Sequence, residues 1–451
     1  MNTIEPILNQ LIQEFGGGTS LADTLILLKA KNKEVNVAEI EYPLNEDQEL
    51  AWSKMQKWLI SHSKFFTLRG FAGTGKTYLM RKLTASHEHN LWFSAPTNKA
   101  TKVLSLAIGE DARTIYSILG LRMVENEDKK ELQFSGQPPD LGSKPILVID
   151  ESSMIPSFLI KFLVEGAEKG SWRCMFIGDP AQLNPVGEDS SPAWKLATNE
   201  EDKAMLRRVM RFDNQLLHLS VDIRECLKTK NYRSPIKDNN KDGEGVFVLS
   251  RYDFQQKIKS LKLDDWRKTK VAVWRNKTVD SYNKLIREKL GFTKPYEEGD
   301  LILLASPYLD GSTIIAHTDE EFEVKSIKDR QFKFREGNLD AWAITTTEGG
   351  FTFYVPQHQS QMEALLQHRA SVASKAKGVE RKDLWKEFWK LKEEFQSIRH
   401  GYCLTSHRLQ GSTYESIFLD QADILSNSNR KEAFRCLYVA ATRPTKNLYT
   451  Y

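Results

Sequence analysis

The sequence predicts an α/β layered fold, with mostly parallel strands covered by helices on both faces. Three observations predict it. Short apolar runs of strand length, at residues 65–68, 91–95, 146–149 and 174–177, alternate with helix-compatible segments. The runs at 146–149 and 174–177 are apolar throughout rather than alternating, as in strands buried on both sides. The runs then give way to Gly70, Pro96, Asp150-Glu151 and Gly178-Asp179, and the ends of parallel strands are where open α/β sheets place ligands.

At 451 residues the chain has room for two to four domains. Its 40% hydrophobic and 27% charged residues read as globular rather than disordered. The formal charge of +4 is mild, and a local basic groove can hide within it. Cys174, Cys226, Cys403 and Cys436 form no CxxC pair, so buried thiols in a reducing compartment are expected rather than a zinc site or disulfides. No basic segment followed by an apolar core opens the chain, and no apolar run reaches membrane-spanning length. The expected compartment is cytoplasmic.

Along the chain, residues 1–40 read as an N-terminal helical extension, interrupted at Gly16-Gly17-Gly18. Residues 41–210 read as a first α/β domain. It opens with an amphipathic helix at 45–59 that carries Leu50, Met55, Trp58 and Leu59. Within it, residues 120–140 are polar and proline-containing, and read as an inserted hairpin. A second α/β domain spans 211–298 and 399–451. It is interrupted by a β insertion at 299–356 and a helical arm at 357–398. In the arm, Leu384, Phe388, Leu391 and Phe395 recur at i, i+4, i+7 and i+11, which suggests a solvent-projecting helix.

The chemistry starts at Gly70-Phe71-Ala72-Gly73-Thr74-Gly75-Lys76-Thr77, which fits G-x-x-x-x-G-K-[ST] between a strand and a helix. Its glycines let backbone N–H groups converge on phosphate oxygens, and the helix N-terminus favours negative charge. Lys76 is expected to reach the β- and γ-phosphates of ATP, and Thr77 to ligate Mg²⁺. Asp150 can hold the same Mg²⁺ through water, while Glu151 can polarise the attacking water. Gln182, in Gly178-Asp179-Pro180-Ala181-Gln182-Leu183, can contact the γ-phosphate or that water. Arg211 and Arg443 are candidates for stabilising charge on the γ-phosphate. A surface ion pair is the ordinary reading of either arginine on sequence alone.

These blocks, together with Ala95-Pro96-Thr97, Thr114-Ile115-Tyr116-Ser117-Ile118-Leu119, Thr405-Ser406-His407-Arg408-Leu409-Gln410-Gly411-Ser412 and residues 438–443, resemble a superfamily-one helicase of the RecD-like 5′-to-3′ branch. The resemblance covers roughly residues 42 to 451. It implies tandem RecA-like P-loop NTPase domains, with the β insertion as an SH3-like subdomain and the helical arm as a tower. It implies that Gln48 reads adenine, that Arg211 and Arg443 reach the γ-phosphate from the second domain, and that Gly411 lies near the phosphates. It places Pro96, Thr97, Thr114, Ser117, Asn276, Thr405 and His407 against single-stranded DNA. Phe134, in the inserted hairpin, would abut the splitting base pair; a core phenylalanine is the competing reading.

The implied activity is an ATP-dependent DNA helicase acting 5′ to 3′ on single strands and single/double-strand junctions. It would act as a monomer in a bacterial or phage-infected cytoplasm, with no membrane partner. Single-strand-binding or replication proteins are the expected protein partners, in DNA replication or repair. The alternatives are a translocase with little unwinding, or a nucleotide-gated nucleic-acid binding module. Asn184, Ala440-Ala441 and Phe212 depart from the family pattern without removing a catalytic group.

Overall fold

The computed structural model describes residues 43–451 except 86–88, 127–128, 135–138, 211–214, 311–312 and 317. The reading of residues 1–40, and that of Arg211, lie outside the described residues.

The first α/β unit runs α1 (Glu46–Ile60), β1 (Phe65–Gly70), α2 (Lys76–Thr84), β2 (Leu91–Ala95), α3 (Asn98–Ile108), β3 (Ala112–Thr114) and α4 (Ile115–Ile118). The hairpin β4 (Leu121–Asn126) and β5 (Lys129–Phe134) comes next, then β6 (Ile146–Ile149), α5 (Ser157–Glu168), β7 (Arg173–Gly178) and β8 (Lys203–Leu206). Six of these strands form one sheet in the order β3-β2-β6-β7-β1-β8, and every neighbouring pair in it is parallel. Side chains alternate between its two faces. Ile146, Val148, Met175 and Ile177 join a cluster with residues of α1 and α2. Leu147, Ile149, Cys174 and Phe176 join a second cluster with residues of α5. The apolar runs without alternation are therefore strands covered on both sides.

α1 is fixed at both ends. Its N-terminus is a capping box, in which Asn45 Oδ1 accepts from Gln48 N at 3.0 Å and Gln48 Oε1 accepts from Asn45 N at 3.1 Å. At its C-terminus the Arg173 guanidinium donates to the carbonyls of Leu59 and Ser63 at 2.9 Å and lies 4.0 Å from the Trp58 ring centroid. The buried residues are Gln48, Ala51, Met55, Trp58 and Leu59. Leu50, expected among the apolar positions, is 61% exposed. It sits one residue, or ~100° of helix rotation, off the stripe through Ala51, Met55 and Trp58.

The second α/β unit runs α6 (Gln215–Thr229), β9 (Asn239–Lys241), β10 (Glu244–Val248), α7 (Arg251–Ser260), β11 (Thr269–Val273) and α8 (Asn276–Leu290). Next come β12 (Leu301–Leu304), β13 (Tyr308–Asp310), β14 (Thr313–Ala316), β15 (Glu321–Phe334), β16 (Gly337–Thr346) and β17 (Thr352–Pro356), then α9 (Gln359–Lys375) and α10 (Gly378–Glu394). The chain closes with β18 (Ile398–His400), β19 (Cys403–Thr405), α11 (Ser406–Leu409), β20 (Tyr414–Leu419), α12 (Gln421–Leu425), α13 (Arg430–Ala441) and β21 (Pro444–Thr450). The second large sheet has the order β19-β11-β20-β21-β10-β9, parallel except for the β9–β10 edge pair.

Between β11 and β19 the chain builds an antiparallel sheet, β17-β16-β15-β12-β18. β18 joins this sheet from beyond the helical arm, pairing Ile302 with His400. A three-residue strand carries too little periodicity to be read from sequence. The arm is two helices, and the expected stripe is offset. Trp385, Trp389 and Leu391 are the buried residues of α10, and Phe395 lies beyond its end as the C-cap. Met362, Leu391 and Phe395 pack on Leu339 and Ala341 of β16, so the base of the arm is seated on the β insertion.

All four cysteines are free thiols; Cys174, Cys403 and Cys436 are buried and Cys226 is half-buried. Among the described residues no helix is long and apolar enough to cross a membrane.

Candidate nucleotide cleft and strand-facing edge

In the first sheet β1, β6 and β7 are parallel neighbours, so Gly70, Asp150 and Gly178 emerge on one edge. The loop after β1 turns through left-handed glycines, with φ of 75° at Gly73 and 89° at Gly75. A Cβ on Gly75 would lie 2.3 Å from Gln48 Nε2, so the turn has no space for a side chain there. Lys76 begins α2, and its Nζ donates to the carbonyls of Gly70 at 2.8 Å and Phe71 at 2.9 Å. Thr74 Oγ1 donates to the Phe71 carbonyl at 2.8 Å, and Thr77 is exposed one residue into the helix. Gln48 is buried, and its Nε2 donates to the Thr74 carbonyl at 3.1 Å. The structure thus seats Gln48 directly against the loop, through the same amide that caps α1.

Asp150 N donates to the Ser94 carbonyl at 2.8 Å, and Asp150 Oδ1 accepts from Glu151 N at 2.8 Å. Burial raises the pKa of Asp150, and the Lys76 charge opposes that shift. Glu151 is raised to about 7 by burial first and by Asp150 second, while Arg443 and Lys76 pull it down. Its φ of 50° is unusual for a residue with a Cβ. Such a conformation costs ~1–3 kcal/mol and persists where the surroundings impose it.

The turn after β7 is built on Asp179, fully buried, whose Oδ1 accepts from Ala181 N at 2.8 Å. Gln182 is buried at its far end. Side chains of the second unit reach this turn. Gln410 Nε2 donates to Gln182 Oε1 at 2.8 Å and lies 3.5 Å from Glu151 Oε2. Arg435 donates to the carbonyl of Pro180 at 3.0 Å and also to that of Gln182. Tyr438 OH donates to Asp179 Oδ2 at 2.7 Å and accepts from Ala72 N at 3.2 Å. The Arg224 guanidinium lies 3.9 Å from the Phe71 ring centroid. Phe71 and Ala72 pack against the core of the second unit. None of Gln410, Arg435, Tyr438 and Arg224 was singled out in the sequence. Gln410 and Tyr438 stood inside recognised blocks, and Arg435 and Arg224 carried no local signal.

Arg443 is buried and donates from Nε to the Val439 carbonyl at 3.1 Å and from Nη1 to the Ser412 carbonyl at 3.2 Å. It bonds within its own unit, yet its charge is felt at Glu151. Gly411 has a φ of 78°, next to Gln410. Arg211 follows Met210, whose N–H donates to the Gly73 carbonyl of the loop at 2.8 Å, so the connection between the two units starts at the loop itself.

The strand-facing candidates fall in two groups. Ala95 pairs with Thr114, which brings Pro96 and Thr97 beside Thr114 and Ser117. Thr97 Oγ1 and Thr114 Oγ1 cap α3 and α4, each accepting a backbone N–H at 3.2 Å. Val273 pairs with Thr405, which brings Asn276 beside Thr405 and His407. Asn276 Oδ1 accepts from Arg399 Nη1 at 3.3 Å. Phe134 closes β5 opposite Leu121, and its side chain lies outside what is described.

Asp150 and the Thr77 hydroxyl offer oxygen donors of the kind Mg²⁺ takes. The half-buried Asp150 carboxylate carries a desolvation that the Lys76 cation and the Glu151 N–H oppose without offsetting it, an environment that a divalent cation would relieve. Among the described residues no group of three or more His, Cys, Asp or Glu side chains is placed to hold a metal, so any such ion would depend on substrate phosphates and water.

Two RecA-like sheets, with a phosphate-binding loop on one and contacts from the other closing over it, define a tandem-domain P-loop NTPase. Residues 43–232 match the AAA domain family, and residues 400–451 match the UvrD-like helicase C-terminal domain. The ATP-dependent DNA helicase Dda of Enterobacteria phage T4 is 26% identical, over 89% of this chain and 97% of that protein. Protein R530 of Acanthamoeba polyphaga mimivirus is 25% identical, over 90% of this chain and 99% of its own. Among solved structures, the Pif1 helicase from Bacteroides in complex with ADP-AlF3 and ssDNA is 15% identical over 91% of this chain and 92% of that one, with a TM-score of 0.49. These matches carry a resemblance to superfamily-one helicases over most of the chain and, within that superfamily, to the phage Dda helicase.

Proposed function

We propose that this protein is an ATP-dependent DNA helicase that moves 5′ to 3′ on a single strand and separates duplex at the junction. One observation carries the reading: the phosphate loop and the 179–182 turn are hydrogen-bonded directly to second-domain side chains, Tyr438, Arg435 and Gln410. A change at the phosphates therefore acts on the position of the second domain. The polarity and the DNA substrate rest on the relationship to Dda.

In this reading Lys76 leaves the loop carbonyls to pair with the β- and γ-phosphates. Thr77 and Asp150 would hold Mg²⁺, which would neutralise phosphate charge there. Glu151 takes or orients the water, Gln182 contacts the γ-phosphate, and Arg443 and Arg211 compensate charge built up there. Gln48 faces adenine, and Gly411 leaves the approach to the phosphates clear. Thr97, Thr114, Ser117, Asn276, Thr405 and His407 grip backbone phosphates without reading bases, with Pro96 shaping the turn. Phe134 abuts the terminal base pair.

The test is an unwinding assay on matched duplexes with a 5′ or a 3′ tail, beside ATP hydrolysis with and without single-stranded DNA. Unwinding is expected only from the 5′ tail, with hydrolysis stimulated by the strand and both lost in Lys76→Ala. Hydrolysis indifferent to any single strand would sink the proposal.

A further inference from the structure

Three consecutive acids, Asp319, Glu320 and Glu321, stand where the β insertion passes from β14 into β15. The turn is pinned to the end of β12. Asp319 N donates to the Leu304 carbonyl at 2.8 Å, and Leu304 N donates to the Glu320 carbonyl at 3.3 Å. Asp319 takes a φ of 61°, a left-handed conformation that a residue with a Cβ seldom adopts and that persists where the surroundings impose it.

Each carboxylate goes to a different element. Glu321 pairs with Lys270 of β11, its two oxygens 3.0 and 2.9 Å from Nζ. Lys270 is fully buried and donates also to the Trp266 carbonyl at 2.9 Å. Taking one partner from a buried ion pair is costly, so this bond fixes the turn to the second domain. Asp319 Oδ1 accepts from Arg408 Nη1 at 2.7 Å, and Arg408 stands next to His407 on α11. Glu320 Oε1 accepts from Lys102 Nζ at 2.8 Å, and Lys102 belongs to α3 of the first domain. Lys99 lies three residues before Lys102, on the same face of α3. Burial lowers the pKa of Lys99, and the charges of Asp319 and then Glu321 oppose the shift, so the same turn is felt there. The caps that open α3 and α11 are Thr97 and Thr405. The acidic turn is therefore bonded to the two helices whose caps are strand-facing candidates, one from each domain.

We propose that the Asp319-Glu320-Glu321 turn is an interdomain clasp, which travels with the second domain and takes up Lys102 and Lys99 of α3 when the cleft closes, holding the two strand-facing edges at one spacing. Gln410 and Tyr438 join the domains at the nucleotide side, and the clasp joins them beside the strand. A lone exposed ion pair contributes little, but charges set in a network are the exception. The pair adds to the closed arrangement and is absent from the open one, so the β insertion helps to couple nucleotide-driven closure to the grip on the strand. This rests on the helicase reading given above.

The test is a charge-swap cycle in the full chain, with Lys102→Glu, Glu320→Lys and the two together. The readouts are ATP turnover with and without single-stranded DNA, and amide hydrogen exchange by mass spectrometry over residues 98–108 and 318–324. Each single variant sets like charges face to face. It is expected to lower strand-stimulated kcat about three- to tenfold, to leave unstimulated turnover within about twofold, and to speed exchange in both segments. The double variant restores an opposite pair, and is expected to return turnover and exchange to within about twofold of the wild type. A surface change that acts only through local structure is not rescued by the swap. Losses that multiply in the double variant would overturn the proposal, as would wild-type turnover and exchange in both single variants. If the wild type shows no strand stimulation, the helicase reading fails by itself, and the exchange cycle still decides whether the clasp forms.

Discussion

Gln410 Nε2 sits between two acceptors on the opposite domain, 2.8 Å from Gln182 Oε1 and 3.5 Å from Glu151 Oε2. One amide group of the second domain thus touches both the candidate water-polarising carboxylate and the candidate γ-phosphate contact of the first.

Gln410→Ala removes that bridge. Hydrogen bonds that involve a charged partner are worth about 1.5–3 kcal/mol, so turnover is expected to fall about 10- to 100-fold. ATP affinity is expected to change little, because Gln410 does not touch the phosphate loop. Gln410→Glu is expected to be slower still, since it sets a carboxylate against Glu151. Steady-state hydrolysis with a nucleotide titration separates the two parameters.

Gly75→Ala meets two obstacles. The φ of 89° disfavours a Cβ, at roughly 1–2 kcal/mol, and the Cβ would lie 2.3 Å from Gln48 Nε2. Nucleotide affinity is expected to fall about tenfold or more. Gln48→Ala removes the clash but leaves the backbone strain and takes away the adenine contact, so adding it is expected to leave the affinity of Gly75→Ala unrecovered. Titration with a fluorescent ATP analogue reads this, and recovery in the double variant would contradict it.

His407 gives a pH dependence. Burial holds its imidazole below the ordinary 6.5, with Glu432 Oε1 at 3.6 Å opposing the shift. A lowered histidine is neutral at pH 7 and gains its charge only as pH falls through the depressed value. The salt dependence of single-strand binding is therefore expected to be equal at pH 8 and pH 7. Below the depressed value its slope is expected to steepen by about 0.7 for the one added cation. In His407→Asn that steepening should vanish. Fluorescence anisotropy at several salt concentrations checks it, and the same steepening in His407→Asn would count against a strand-facing imidazole.

Gly166→Ala tests packing away from the cleft. A Cβ on this α5 residue would lie 1.9 Å from the Trp172 ring, which is fixed by a 2.9 Å hydrogen bond from its Nε1 to the Leu163 carbonyl. Overpacking of this kind costs ~1–3 kcal/mol, against about 1 kcal/mol gained from helix propensity. The urea midpoint is expected to fall with an unchanged slope. ATP turnover of the folded protein is expected to stay at the wild-type value.

The legible parts of this chain were local. The strand, glycine loop and helix around Lys76 needed only a contiguous segment, and the fully apolar run at 146–149 announced a strand covered on both faces. Where the pattern was short or shared, the reading slipped. Leu50 counts among the apolar positions of its helix yet lies on the exposed side, because one residue of phase is hard to assign in a 15-residue helix. The stripe of α10 was read through Leu384 and Phe388 when Trp385 and Trp389 form the buried edge, because both phases of that helix carry large apolar residues. The three residues of β18 carried no signal, since only their pairing with β12 makes them a strand.

The sequence by itself determined the phosphate-loop signature at residues 70–77, because its glycines, lysine and threonine fall within one short segment and their backbone geometry is dictated by residue type. The tertiary structure alone decided what holds that loop from the other side. Ala72 and Tyr438 are 366 residues apart, and Gln182 and Gln410 are 228 apart. No periodicity connects such pairs. Their contacts exist because two separately folded sheets pack edge to cleft, and the free energy that selects that packing is spread over both cores rather than written in any one segment.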